Sequence, residues 1–152
     1  MKKVNELEKR ANKANLSYRK TKKALIQKVP TPILYTKKGL IAQQSTVDYT
    51  GILAPDGKGI AFDAKETKNK TSFPLQNIHQ HQLNFLDLFE SIGGIAFFLI
   101  HFKSLHKNQA FKTPVSLVMR FWYEEERKSI PLEEFKKEWL VDIDNYLNNL
   151  GE

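Results

Sequence analysis

Asp48 stands fifteen residues ahead of an Asp-x-Lys triplet, Asp63-Ala64-Lys65. Val47–Leu53 and Gly59–Glu66 read as the two strands of a hairpin, and Pro55-Asp56-Gly57-Lys58-Gly59 supplies turn chemistry between them. Alternate strand residues share a face, so Asp63 and Lys65 point one way and Ala64 the other. Pairing of the strands then sets Asp48 across from them. Hard dications favour oxygen ligands, and two carboxylates completed by water suffice to hold one. Such a metal stabilises charge on a phosphate and activates a water, while a neighbouring lysine orients that water or stabilises the pentavalent transition state. The set suits metal-dependent phosphodiester hydrolysis. Taken alone, the same spacing also describes an ordinary surface ion pair.

The elements that must position these groups follow from periodicity. Residues 4–28 read as one helix, with Val4, Leu7, Ala11, Ala14, Tyr18, Thr21 and Leu25 recurring at three and four. Pro30-Thr31-Pro32 ends it. Residues 33–45 read as an extended segment bent at Lys37-Lys38-Gly39. Thr67–Thr71 is a polar, basic loop. A helix is expected from about Pro74 to Ser91, stopped by Gly93-Gly94. Ile95–Phe102 is a continuous apolar run and predicts a buried central strand. Ala110–Lys112 predicts a short strand, and Thr113-Pro114 the cap and first turn of a helix to Trp122. Leu132, Phe135, Trp139, Ile143, Tyr146 and Leu150 predict a terminal amphipathic helix over 132–150. The expected fold class is α/β: a mixed sheet flanked by helices, in one domain over residues 1–152.

Gln82 falls on the core-facing stripe of the helix after Pro74, between Ile78 and Phe85. A buried glutamine needs polar partners. Gln82 either satisfies backbone groups or projects into the metal site. His79 and His81 diverge by about 200° on a helix and make a poor metal pair. With no cysteine, disulfides and thiolate metal sites are excluded. The longest apolar run, Ile95–Ile100, is too short to span a bilayer. No apolar stretch follows Lys2-Lys3 to make a signal peptide. A cytoplasmic, nucleoid-associated location is expected, with no membrane partner and no small-molecule cofactor beyond metal.

The net charge of +7 is unevenly placed. Residues 1–38 carry twelve Lys or Arg against two acids, a net of +10, whereas 39–152 carry twelve against fifteen, a net of −3. Concentrated positive charge suits a polyanion such as nucleic acid. A solvated helix face is the plain alternative. Arg19, Lys28, Lys37, Lys38, Lys68 and Lys70 are the candidates for phosphate contact.

The chain resembles the RecU family of Holliday junction resolvases, within the PD-(D/E)xK nuclease superfamily. The resemblance is densest over 45–82: Ser45-Thr46-x-Asp48-Tyr49-x-Gly51, the ungapped run from Phe62 to Asn77, and His81-Gln82. Weaker similarity touches Leu7-Glu8, Asn12, Asn15, Tyr18, Pro30-Thr31-Pro32, Phe121-Trp122 and Arg127-Lys128-Ser129-Ile130. It implies a restriction-endonuclease-like fold in which Asp48 and Asp63 bind Mg²⁺ or Mn²⁺. The Ala64 carbonyl is implied as a further ligand, Glu8 as the helix glutamate near the metal, and Lys65 as the catalytic lysine. The family's His-Gln pair favours a site role for Gln82. A homodimer that nicks branched DNA, a four-way junction, symmetrically is also implied. The basic N-terminal helix is expected over 1–29, the stalk over 33–44 and the catalytic core over 45–82.

Three departures stand out. Asp63 replaces the family's usual glutamate. Ile33–Gln44 is much shorter than the usual stalk. Ala54–Gly59 is slightly expanded. Two other functions fit these departures: a DNA-binding recombination factor with weak or no nuclease activity, and a same-fold nuclease acting on flaps or duplex.

Overall fold

The structure, a computed structural model, describes residues 4–30, 33–42 and 46–148. Ser45, which opens the family-like block, and Leu150, which closes the expected terminal helix, lie outside them. In chain order the elements are α1 (Glu6–Lys20), β1 (Ala24–Lys28), β2 (Ile33–Thr36), β3 (Gly39–Ala42), β4 (Tyr49–Leu53) and β5 (Lys58–Thr67). They continue with β6 (Ser72–Pro74), α2 (Gln80–Ser91), β7 (Ile95–Phe102), β8 (Gln109–Pro114), α3 (Val115–Tyr123), β9 (Ser129–Pro131) and β10 (Leu140–Asp142). A mixed six-stranded sheet runs β1-β4-β5-β7-β8-β10, with only β5 and β7 parallel. The ribbons β2-β3 and β6-β9 stand apart from it.

The sheet is covered on both faces. On one side Ala61, Phe98, Ile100 and Phe111 pack with Leu83 and Leu86 of α2 and Val118 and Phe121 of α3. On the other, Tyr49, Ile60, Phe62, Phe97 and Leu99 pack with Leu7, Ala11, Ala14 and Tyr18 of α1. Strand alternation explains the division: Phe62 and Ala64 face α1, so Asp63 and Lys65 face the α2 side. Tyr49, Phe62 and Phe97 stack in a row with centroid spacings of 4.7 and 4.9 Å. Each such pair adds about 1 kcal/mol beyond its buried area.

Four expectations are corrected. The N-terminal helix stops at Lys20 rather than near Lys28. Lys22 takes a left-handed conformation (φ 58°), and the chain re-enters as edge strand β1, burying Ala24 and Ile26 and exposing Leu25. The apolar spacing was compatible with a helix, but pairing with β4 fixes the strand. The segment before α2 is not helical from Pro74. It forms β6 and a 3-10 turn at Leu75–Asn77, because Phe73 pairs with Ile130 of β9.

Pro114 caps α3 while Thr113 is buried within β8, its hydroxyl donating to the Phe111 carbonyl. The terminal helix is absent among the described residues. In its place are 3-10 turns at 132–134, 137–139 and 143–145, with β10 between the second and third. Spacings of three and four suit single 3-10 turns as well as an α-helix. Here Leu140–Asp142 pairs with β8, and the Asp142 carboxylate accepts from Asp144 N–H, satisfying locally a group a helix would use.

Candidate active site

β4 and β5 pair from Lys58 to Phe62, whereas β5 and β7 pair from Ile60 to Thr67. Beyond Phe62, therefore, β5 has lost its neighbour on the β4 side. Continuing the Tyr49–Phe62 register places Asp48 opposite Asp63. Here side chains take over the ladder: Asp48 N–H donates to Asp63 Oδ1 (2.9 Å), and Ala64 N–H donates to Asp48 Oδ2 (3.0 Å). Each aspartate is thus held by backbone next to the other. Asp48 and Asp63 are 7% and 0% exposed, so both carboxylates are locked. Val29 N–H donates to the Asp48 carbonyl (2.7 Å) and fixes the end of β1 against the same residue.

Lys65 Nζ lies 3.0 Å from Asp63 Oδ2. The approach is not along a hydrogen-bond direction, and this buried oxygen has no hydrogen-bond donor. The oxygen is ion-paired with the ammonium but keeps its lone-pair directions open to a further ligand. It matches the oxygen chemistry a hard dication requires, so the residues present fit the metal that the resemblance implies. Among the described residues, no three His, Asp or Glu side chains form a ready cage. Asp48, Asp63 and the Ala64 carbonyl would leave much of the coordination to water or substrate, as a small hard dication prefers.

Glu8 reaches the same region from α1. Asn5 caps this helix, and Asn5 Oδ1 accepts from Glu8 N–H (2.8 Å). Glu8 is 1% exposed, and its Oε2 meets Asn5 N–H and Lys28 Nζ, each at 3.3 Å. The Tyr49 hydroxyl contacts the Glu8 carbonyl (3.2 Å) and Asn12 Oδ1 (2.7 Å), tying α1 to the strand that carries Asp48. Burial pushes the Tyr49 phenol pKa up, and the charges of Glu8, Asp48 and Asp63 push it further. All three acids therefore bear on one buried hydroxyl. Asn5, Asn12 and Tyr49 did not emerge as site residues from the sequence. Asn5-x-x-Glu8 does carry a capping-box pattern, which could have placed Glu8 in a first helical turn.

Gln82 is buried on α2, and its Oε1 accepts from His79 N–H (3.1 Å) at the start of that helix. Lys68 and Lys70 are exposed on the loop directly beyond β5, at the same end of the sheet as Lys65. Lys37 and Lys38 form the turn of the β2-β3 ribbon. Lys28 is drawn to Glu8. Arg19 is not brought to the site: it lines a recess with Lys22, Leu25, Ile52 and Pro55, at the opposite end of β1 from Lys28. A second recess, of about 410 Å³, lies between α2 and α3 and is lined by Asp87, Glu90, Met119 and Tyr123, among others. Neither contains Asp48, Asp63 or Lys65.

A mixed sheet covered by helices on both faces, with two pinned acids and a lysine where paired strands part, defines the restriction-endonuclease-like class of PD-(D/E)xK nucleases. The family model "Recombination protein U" matches residues 2–148, and the chain belongs to the RecU family. It is 40% identical to a Holliday junction resolvase RecU of Pediococcus pentosaceus, over 87% of this chain and 71% of that protein. It is 42% identical to the Leuconostoc mesenteroides protein of the same name, over 76% of this chain and 61% of that one. A Staphylococcus carnosus counterpart is 41% identical over 86% of this chain and 68% of its own length. The chain thus spans roughly two thirds of the curated relatives it matches, and under two thirds of the second. No helix among the described residues is long and apolar enough to cross a membrane.

Proposed function

We propose that this chain is a divalent-metal-dependent, structure-selective endodeoxyribonuclease that acts on branched DNA, the four-way junction being its main substrate. The observation that carries this reading is the reciprocal pinning of Asp48 and Asp63, with Lys65 3.0 Å from an otherwise undonated carboxylate oxygen. Asp48, Asp63 and the Ala64 carbonyl would hold Mg²⁺ or Mn²⁺, with Glu8 beside them. When bound, the metal supplies charge stabilisation at the scissile phosphate. Lys65 presents its ammonium to a phosphate oxygen or to the attacking water. Gln82 supports the site by fixing the start of α2. Lys68 and Lys70 meet the DNA backbone nearest the site, and Lys37 and Lys38 meet it at the tip of the ribbon. Residues 1–152 act as one nuclease domain in a homodimer, which sets two such sites across the junction, at the nucleoid in the cytoplasm.

A second reading, a nuclease of the same chemistry that also cuts flaps or plain duplex, is favoured by the ribbon. Its strands are only four residues each, a small device for sensing a junction centre. One experiment addresses both. Labelled four-way junction, flap and linear duplex are incubated with and without Mg²⁺ or Mn²⁺, using wild type, Asp48→Asn and Lys65→Ala. Metal-dependent symmetric nicks confined to the junction are expected from wild type, and none from the variants. Cuts on flap or duplex at equal rates would favour the second reading. Cleavage by Asp48→Asn at the wild-type rate would overturn the assignment of the site.

A further inference from the structure

Two acids of the site have a lysine beside them. Lys65 faces Asp63 at 3.0 Å, and Lys28 faces Glu8 at 3.3 Å. The two lysines differ in setting. The Lys65 side chain is 11% exposed, whereas that of Lys28 is 36% exposed while its partner Glu8 is 1% exposed. Lys28 is the last residue of β1 and stands across from Tyr49, next to Asp48. Its ammonium therefore lies between a buried carboxylate and solvent, on the rim of the site. A buried carboxylate needs a cation or donors close by, and Lys28 contributes to that need beside the Asn5 N–H.

We propose that Lys28 is a positioning residue that couples metal binding to DNA binding. It holds Glu8 as a counter-ion in the free enzyme and passes to a DNA phosphate when the metal takes Glu8. The inference rests on the reading in which Asp48, Asp63 and the Ala64 carbonyl would hold the metal with Glu8 beside them. The Lys28 ammonium, 3.3 Å from Glu8 Oε2, would be turned outward by like-charge repulsion if a dication were held beside Glu8. The lysine stem is long enough to swing toward solvent, where a phosphodiester is the natural acceptor. Phosphate at the rim draws the ammonium off Glu8 and frees the carboxylate, while metal at Glu8 frees the ammonium. Each ligand then strengthens the other by the same factor, as linkage requires. Lys65 cannot play this part, because it is enclosed and its position is needed for the reaction itself.

The test uses the full chain and Ca²⁺ as the probe dication. Ca²⁺ affinity is measured by calorimetry on the protein alone. Affinity for a labelled four-way junction is measured by fluorescence polarisation in chelator and in Ca²⁺, at fixed ionic strength. Two neutral variants, Lys28→Met and Lys28→Gln, guard against a packing defect in either one. Lys28→Arg keeps the charge, and thermal melts confirm folding. The neutral variants should bind Ca²⁺ alone about tenfold more tightly than wild type. The tightening of junction binding by Ca²⁺, expected at about fivefold or more in wild type, should fall at least by half in them and persist in Lys28→Arg. Neutral variants that bind Ca²⁺ no more tightly than wild type, or that keep the full Ca²⁺ effect on DNA, would overturn the coupling. Asp48→Asn separates the two failures. If it loses Ca²⁺ while the Lys28 variants behave as wild type, only the coupling is wrong. If it binds Ca²⁺ as wild type does, the metal site itself is misplaced.

Discussion

Asp48→Asn and Asp48→Ala should both abolish cleavage yet differ in stability. The Ala64 N–H is buried, with its residue 4% exposed, and donates to Asp48 Oδ2 at 3.0 Å. The asparagine amide keeps an oxygen for that N–H and removes one of two neighbouring buried charges, so the loss should stay below about 1 kcal/mol. Alanine leaves the N–H without this acceptor. That costs about 2 kcal/mol, or roughly thirtyfold in the folding equilibrium. Asp63→Asn is expected to be worse tolerated than Asp48→Asn, for a geometric reason. The Asp63 side chain must keep one oxygen on Asp48 N–H, which turns the new amide nitrogen toward Lys65 Nζ, where Oδ2 stood 3.0 Å away. Two donors then face each other, and the largely buried lysine loses its carboxylate, at a cost of about 3 kcal/mol. Urea denaturation in chelator at pH 7.5 measures all three, and metal-dependent junction nicking checks the chemistry. Equal stability of Asp48→Ala and Asp48→Asn, or equal tolerance of asparagine at Asp48 and Asp63, would refute the claim that these side chains replace the strand ladder.

Gly51→Ala should cost about 3 kcal/mol or more, because a β-carbon there would lie 2.1 Å from the Leu25 carbonyl oxygen and must force β1 off β4. Loss of the thermal transition at its wild-type position checks this, and an unchanged melt would contradict the pairing. Tyr49→Phe removes a hydroxyl in contact with Asn12 and Glu8 and should cost about 1–2 kcal/mol. Cleavage should fall with it as α1 loosens; a variant as stable as wild type in urea would show that the contact carries no weight. Lys112 is held down to about 8 from 10.5 by burial, with the Lys23 charge adding to it. Between those values the folded protein binds fewer protons than the unfolded chain, so this group makes stability rise with pH, by about 1–2 kcal/mol over the whole window once solvent screening of a partly exposed ammonium is discounted. Lys112→Met should flatten the rise between pH 8 and 9.5 in urea titrations, and an unaltered slope would rule the group out. Tyr18, Tyr49 and Tyr146, all raised in the fold, act oppositely: their contribution is intact below their ordinary value of 10.0 and declines above it.

The hairpin that carries Asp48 and Asp63 was legible because its information is local. Turn residues at Pro55–Gly59 and alternation along β5 set the register, and the register alone places Asp48 across from Asp63. The central strand Ile95–Phe102 was legible because only burial on both faces tolerates so apolar a run. β1 and β10 were not, for a shared reason. Each is a short edge strand whose identity comes from a partner far along the chain, β4 for one and β8 for the other. The stripes that run through and beside them, Tyr18, Thr21 and Leu25 for one and Trp139, Ile143 and Tyr146 for the other, recur at three and four, so a helix fits the local pattern as well as the true strands do. The Lys28–Glu8 pair was hidden for the same reason: while 4–28 reads as one helix, Lys28 is more than five turns from Glu8 rather than beside it. The sequence shows Gln82 facing inward, but which polar group it meets depends on where α2 begins. That start was displaced by the pairing of β6 with β9.

The excursion between β1 and β4 also follows from this topology. The chain leaves the six-stranded sheet at Lys28, forms the β2-β3 ribbon, and returns at Tyr49, the residue directly across from Lys28. The base of the excursion is closed by strand pairing and by the Val29–Asp48 hydrogen bond, whatever lies between. For such a loop, doubling the length costs only about 0.6 kcal/mol in closure entropy. The ribbon can therefore lengthen or shorten with little penalty to the fold and without moving Asp48, Asp63 or Lys65. The acids have no such freedom, since each holds backbone beside the other and Gly51 admits no side chain against β1. On the proposed reading, the chemistry is built into the sheet, whereas the element that would sense branch geometry is carried on a closed excursion from it. A chain with a short ribbon should accordingly keep its rate of phosphodiester cleavage while its ratio of junction to duplex cutting falls.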